Sequence, residues 1–192
     1  MLDIQSTPFD QPLKIIIGAG EQRYDGWIAT QKEDLDLVDP AMWAQIFGER
    51  QVDAFLCEHV WEHLTEEEGY LAAELCYHYL KPGGYLRCAV PDGYFPNEAY
   101  QRVIQVGGPG SVDHPAADHK IVYTYERFCA VFTAAGFEVD LLEYCDANGR
   151  FHYNHWNPQA GMIYRSLRFD HRNRHGELNS VSLLLDAIKP KS

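Results

Sequence analysis

The sequence predicts an α/β domain in which one sheet is covered on both faces. Short apolar, β-branched runs of strand length alternate with stretches whose apolar residues recur at helical spacing. The first such run, Lys14-Ile15-Ile16-Ile17, stops at Gly18-Ala19-Gly20, as a buried strand does when it enters a tight turn. The chain has 192 residues, 46% hydrophobic and 13% aromatic. That suits one core large enough to need no disulfide or structural metal, so residues 1–192 read as a single domain.

After the glycine turn, Trp27-Ile28-Ala29-Thr30 and Leu35-Asp36-Leu37-Val38 are short strand candidates. The connection into the first of them is shorter than the dozen or more residues a parallel crossover takes, so its helix is abbreviated or missing. Met42, Trp43, Ile46 and Phe47 mark a short helix over Pro40–Phe47, and residues 52–57 return to strand character. Thr65-Glu66-Glu67-Glu68 fits a capping box, with three carboxylates at the positive end of the helix dipole. Leu71, Ala72, Leu75, Cys76, Tyr79 and Leu80 continue that helix as an apolar stripe, and Lys81-Pro82-Gly83-Gly84 ends it.

Residues 85–90 form the next strand, stopped by Pro91-Asp92-Gly93. A Gly- and Pro-rich segment (Gly107-Gly108-Pro109-Gly110) and a loop rich in His and Asp over 113–119 follow. Residues 124–135 read as a helix with Tyr125, Phe128, Cys129 and Phe132 on one face, and 137–142 and 181–188 as strands. Between these two strands lie roughly 35 residues rich in His, Trp, Tyr and Arg, too long for a hairpin loop, so they carry function or cover something.

Sixteen Lys and Arg against twenty-eight Asp and Glu give a net charge of −12, which repels a phosphate backbone and argues against nucleic-acid binding. The local exception runs from Arg165 to His175, either a solvated segment with its own ion pairs or a pocket for an anionic substrate. Five scattered cysteines with no Cys-x-x-Cys pair indicate neither a disulfide framework nor a zinc ribbon, but a reducing compartment. The first residues show no basic leader, and no window is apolar enough to span a bilayer. The expectation is a cytoplasmic protein that engages no membrane.

Cys57-Glu58-His59-Val60-Trp61-Glu62-His63-Leu64 contains His-x-x-Glu-His, the spelling of inverted zinc hydrolases, in which two histidines hold the metal and the glutamate is the general base. That chemistry needs His59 and His63 on one helical face and a third ligand. The helix begins only at Thr65 and no second motif supplies the third ligand, so no metal is expected and a zinc hydrolase is the last of three readings. The neighbouring residues suggest something else. Gly18-Ala19-Gly20 and Cys57-Glu58-His59 both stand at carboxyl ends of strands, where open α/β sheets bind ligands, and glycine there lets a ligand approach the backbone.

Together with Gly26-Trp27-Ile28, Leu80-Lys81-Pro82-Gly83-Gly84-Tyr85-Leu86-Arg87 and Val90-Pro91-Asp92, these blocks resemble the class I S-adenosylmethionine-dependent methyltransferases, and among them the small bacterial predicted methyltransferases of type 11-like pattern. The match spans about residues 13 to 92. The resemblance implies a Rossmann-like, seven-stranded, mostly parallel sheet with a C-terminal antiparallel hairpin, and S-adenosyl-L-methionine as cofactor. It places Gly18, Ala19 and Gly20 beside the methionine and ribose portions and Gln31 at the ribose hydroxyls. Asp39 would meet the adenine amino group, and Cys57, Glu58 and His59 would lie along the cofactor between adenine and methionine. Three departures from the family pattern are Ile16 in place of an acid, Gln31 in place of the ribose acid, and the abbreviated first helix.

Methyl transfer is an in-line displacement, so the protein aligns donor and acceptor and, for a hydroxyl or amine, removes a proton. His119, His114 and Tyr123 are the expected catalytic residues, with His152 and His155 as further candidates, Asp113, Asp118 and Arg168 as orienting groups, and Arg165, Arg168 and Arg172 as a grip on an anionic acceptor. The expected partner is a small molecule or sugar-containing metabolite. The second reading, motivated by the three departures, is a catalytically silent binding protein on the same fold.

Overall fold

Three consecutive isoleucines in the first strand show how the sheet divides its neighbours. Ile15 and Ile17 pack into one core with Phe55, Cys57, Leu86 and Cys88, while Ile16 packs into another with Leu56, Ala89 and Leu184, as the two-residue period of a strand demands. The computed structural model describes residues 4, 7, 8, 10–173 and 176–191; Arg174 and His175 of the basic run, and Met1, Leu2, Asp3 and Gln5 of the opening stretch, lie outside the described residues.

The strands are β1 (Lys14–Ile17), β2 (Ile28–Ala29), β3 (Val52–Glu58), β4 (Leu80–Pro91), β5 (Glu138–Cys145), β6 (Phe151–Tyr153) and β7 (Ser182–Ile188). They form one seven-stranded sheet in the order β2-β1-β3-β4-β7-β5-β6. The pairings from β2 through β4 are parallel, and those of β7 with β4 and β5, and of β6 with β5, are antiparallel. Only β6 and β7 run against the others, so the Rossmann-like, mostly parallel sheet with an antiparallel C-terminal part is the architecture found. No helix of the described residues is long and apolar enough to cross a membrane, and all five cysteines are free thiols.

Three helices cover the first face: α1 (Pro40–Phe47), α2 (Glu66–Tyr79) and α4 (Tyr125–Ala134), whose Trp43, Phe47, Ala72, Cys76, Phe128 and Phe132 enter the Ile15/Ile17 core. Their starts follow the sequence signals. The Asp39 carboxylate accepts from the Ala41 and Met42 amides at 3.0 and 3.1 Å. The Thr65 capping box forms in both directions, at 3.2 and 2.7 Å.

The second face carries the Ile16 core, and the elements packed on it are Tyr24, Trp27 and the irregular segment 154–170 with Trp156, Ile163 and Phe169. Sheet-borne charges hold that segment down. Arg87 of β4, 3% exposed, pairs through two nitrogens with Asp186 at 2.8 Å each. It also donates to the carbonyls of Asn157 and Gly161 at 2.8 and 2.7 Å and lies over the Trp156 ring. Glu143 of β5, fully buried, accepts from Trp156 Nε1 at 2.8 Å and the Leu167 amide at 2.7 Å. The long insertion thus covers the sheet, one of the two roles expected of it.

Four elements differ from expectation. Leu35-Asp36-Leu37-Val38 is a pair of turns rather than a strand: Leu35 and Leu37 are buried as alternation predicts, but Asp34 and Asp36 accept from the Gln31 and Val38 amides and fold the chain locally. Lys81-Pro82-Gly83-Gly84 does not separate helix from strand but lies inside β4, at the register shift opposite residues 52–54 of β3. Residues between β1 and β2 form no helix, which is one of the two alternatives expected there and not among the four differences. Two elements were not anticipated: α3 (Glu98–Ile104), capped by Asn97, and β6, which closes a hairpin on β5.

Candidate functional site

In this sheet order the chain leaves β1 to one side for β2 and crosses to the other for β3, so the crevice at the carboxyl ends of β1 and β3 is a topological switch point. The glycine turn forms its floor. Gly18 and Gly20 adopt φ of +60° and +52°, the left-handed region that side chains disfavour. Nothing lies within 4 Å of where a Cβ on Gly20 would stand, whereas one on Gly18 would meet Val60 Cγ2 at 2.6 Å. Ala19 is buried, and its amide donates to the Thr30 carbonyl at 2.8 Å, tying the turn to the end of β2. Gln31, just beyond, places its carboxamide on the turn: Nε2 donates to the Gly20 carbonyl at 2.7 Å and the Gly20 amide donates to Oε1 at 3.3 Å.

Across the crevice, Glu58 closes β3 with both carboxylate oxygens engaged. Gln22 Nε2 donates to it at 2.6 Å, the Tyr164 amide at 2.9 Å and the Arg165 amide at 2.8 Å, so the 154–170 segment reaches over the crevice as well as over the sheet. His59 holds φ of +57°, a conformation that a non-glycine residue keeps only when its surroundings enforce it. Here they do: Nε2 lies 2.8 Å from Ser182 Oγ of β7 and Nδ1 accepts from the Arg165 guanidinium at 2.9 Å. The Cys57 thiol points away into the helical core, so only its backbone borders the crevice. Asp39 is at the start of α1, one of its oxygens spent on the cap.

A second group of side chains sits one turn further on. Trp61–His63 form a single 3-10 turn, and the Lys120 and Ile121 amides donate to the Glu62 carbonyl at 2.8 and 3.3 Å, which brings His119 against His63 with rings 4.9 Å apart. His119, Asp118, Lys120 and Val106 border an open groove of about 820 Å³. His59 and His63 do not share a helix, since the residue between strand and turn has left-handed backbone and α2 begins at Glu66.

Among the other expected residues, His114 Nδ1 accepts from the Ala116 amide at 3.1 Å. Tyr123 is 1% exposed and packs on Phe128; burial first, then Cys88 nearby, hold its phenol well above the ordinary value. His152 stacks on Tyr144 and pairs with Asp146 at 2.8 Å. Arg168 donates to the Trp156 carbonyl and lies over Trp156 and Phe169, and Arg172 grips Asp170. Of the basic run, Arg165 alone of these three turns to the crevice. Ser182 and Gln22, both in the crevice network, carry no sequence signal of their own; their place follows from the sheet order.

No protein-family model and no curated protein matches the chain. Solved structures do. An S-adenosylmethionine-dependent methyltransferase from Archaeoglobus fulgidus superposes over 94% of this chain and 87% of its own, at 15% identity and a TM-score of 0.53. This chain has the class I methyltransferase fold. A chain from a complex containing the Haloferax volcanii Trm112 methyltransferase activator aligns at 13% identity over 97% of this chain and 86% of its own, TM-score 0.52. The CurJ carbon methyltransferase aligns at 15% identity and TM-score 0.51, over 97% of this chain and 50% of its own. At such identities the likeness is one of fold.

Proposed function

We propose that the protein is an S-adenosylmethionine-dependent methyltransferase acting on a small-molecule acceptor. The observation that carries this reading is the left-handed Gly20, open above its α-carbon, at the switch-point crevice of a methyltransferase fold. A ligand can lie against the backbone there, and the Gln31 carboxamide beside it, bonded only to exposed backbone, suits ribose hydroxyls without adding charge. The cofactor supplies a methyl group on an electrophilic sulfonium. The chain's own part is to hold that end of the molecule between Gly20, Gln31 and the His59 strand end, to shield it beneath residues 162–165, and to accept the acceptor's proton. Arg165, at the crevice mouth, is the cation for a carboxylate. For the proton, burial disqualifies Tyr123, and His119 is the imidazole that borders the groove, which His114 does not.

Isothermal titration with S-adenosylmethionine and S-adenosylhomocysteine tests this. Binding of both is expected, weakened about tenfold or about 1.4 kcal/mol in His59→Ala, which loses the Ser182 and Arg165 contacts. No heat and no thermal shift with either ligand sinks the reading. A second reading, a methyltransferase-fold protein that no longer takes the cofactor, is favoured by the Val60 methyl packed on Gly18 and the saturated Glu58. Cofactor binding by Val60→Ala but not by the parent chain would establish it.

A further inference from the structure

Glu62 is 1% exposed, and neither of its carboxylate oxygens has a hydrogen-bond partner. A bare carboxylate in such surroundings is expensive unless a cation meets it. His59 Nδ1 lies 3.1 Å from Glu62 Oε1 as an ion-pair contact, but the Arg165 guanidinium donates to the same nitrogen at 2.9 Å, which leaves it no proton to give the carboxylate. The other side of Glu62 is different. One ligand-capable atom each of Glu62, His63 and His119 lies within 4.8 Å of the other two.

Both histidines are oriented from behind. His63 Nδ1 is 2.7 Å from the Asp118 carboxylate and His119 Nδ1 is 3.0 Å from the Ile104 carbonyl. Each partner is an acceptor, so each Nδ1 carries the proton and each Nε2 keeps its lone pair, the arrangement that carboxylates and carbonyls impose on metal-bound imidazoles. The backbone bonds from Lys120 and Ile121 to Glu62 fix the two halves of the cluster relative to each other. Three donors around Zn²⁺ stand about 3.3 Å apart, so closing the site asks for a contraction of about 1.5 Å or less.

We propose that Glu62, His63 and His119 form a mononuclear site for a divalent transition ion of the Zn²⁺ type. Two imidazoles and one carboxylate suit that class of ion and leave a fourth position for water or for an oxygen atom of a molecule in the groove bordered by Asp118, His119 and Lys120. The site differs from the hydrolase spelling of the same stretch: Glu62 is a ligand rather than a base, and His59 is outside the coordination sphere. It stands independently of cofactor binding, but with the ion in place His119 is a ligand, so the proton-accepting role proposed for it belongs to the metal-free chain.

The test uses the untagged full chain, freed of metal with a chelator and titrated with Zn²⁺ against a chromogenic competitor. One ion per chain is expected. His63→Ala should weaken binding at least 100-fold. Asp118→Asn, at the surface, should weaken it 10- to 100-fold, since it removes only the group that orients His63. Co²⁺ in place of Zn²⁺ should give visible bands of four- or five-coordinate intensity that Glu62→Gln abolishes. Glu62→Gln should also raise the melting temperature of the metal-free protein while cancelling the rise that Zn²⁺ gives the parent chain. No stoichiometric ion, or an affinity unchanged in both His63→Ala and Asp118→Asn, overturns the proposal.

Discussion

The two faces of the sheet are built from the same strands yet are held by different physics. On the helical face, alternate residues such as Leu86 and Cys88 bury apolar surface against α1, α2 and α4. On the other, the intervening positions include Glu58 and Arg87, the latter paired with Asp186, and their charges bind backbone groups of a segment whose only regular stretch among the described residues is a 3-10 turn at Pro158–Ala160. A helix satisfies its own N–H and C=O groups and asks its neighbours only for apolar contact. A coil laid over a sheet brings orphan amides and carbonyls with it, and the sheet must supply partners. Charge-assisted bonds are roughly twice as strong as neutral ones, but their loss leaves a buried charge.

That contrast can be broken by substitution. Phe132→Ala, which empties the centre of the helical face, should cost about 4 kcal/mol and lower the urea midpoint of the whole domain. Arg87→Ala should cost about 3 kcal/mol, but hydrogen exchange should show protection falling first in 154–170, because the Asn157 and Gly161 carbonyls lose the guanidinium that ties them to the sheet. Uniform loss of protection across both faces would erase the distinction. Glu143→Gln should cost about 2 kcal/mol, since one of its two donors then faces an amide N–H.

Burial, only partly offset by the Leu167 and Trp156 bonds, holds the Glu143 carboxyl above its ordinary value of 4.5. The native state then binds that proton more tightly than the unfolded state does. The group's contribution to stability is therefore full below its ordinary value and is lost as pH rises through the raised one. Denaturation midpoints measured from about pH 4 upward should show this slope in the parent and not in Glu143→Gln. Smallest of the four, Thr65→Ala should cost about 1 kcal/mol, read as a lower melting temperature, by removing one half of the α2 capping box.

The helical face was legible because its signals are local. Thr65 with Glu68 announces one helix start within four residues, the spacing of Met42, Trp43, Ile46 and Phe47 marks another helix from Pro40, and the structure places both helices there. Leu35 to Val38 misled because burial alternates in a turn as it does in a strand when aspartates fold the backbone; periodicity reports which side is buried, not what the amides bond to. At the site, Gly18, Gly20, Gln31, Glu58 and His59 were placed at strand ends correctly, since strand order and the glycine turn determine that. Apart from Gln22, 36 positions from Glu58, the partners that occupy Glu58 and His59 come from residues 106 or more positions away, and no short-range pattern carries such pairings. His119 was singled out as a base, but its contact with His63 depends on the loop that returns to Glu62.

β7 has a consequence in time as well as in space. It is the last strand among the described residues, yet it lies between β4 and β5, and the bond that Arg87 donates to its Asp186 spans 99 positions. During synthesis the first half of the sheet must wait with β4 as an open edge, and the later hairpin with β5 as another, each displaying unpaired amides and carbonyls that invite a foreign strand. The sheet closes at its middle, and closes late, so the step that unites its two halves is also the one that covers the β4 and β5 edges.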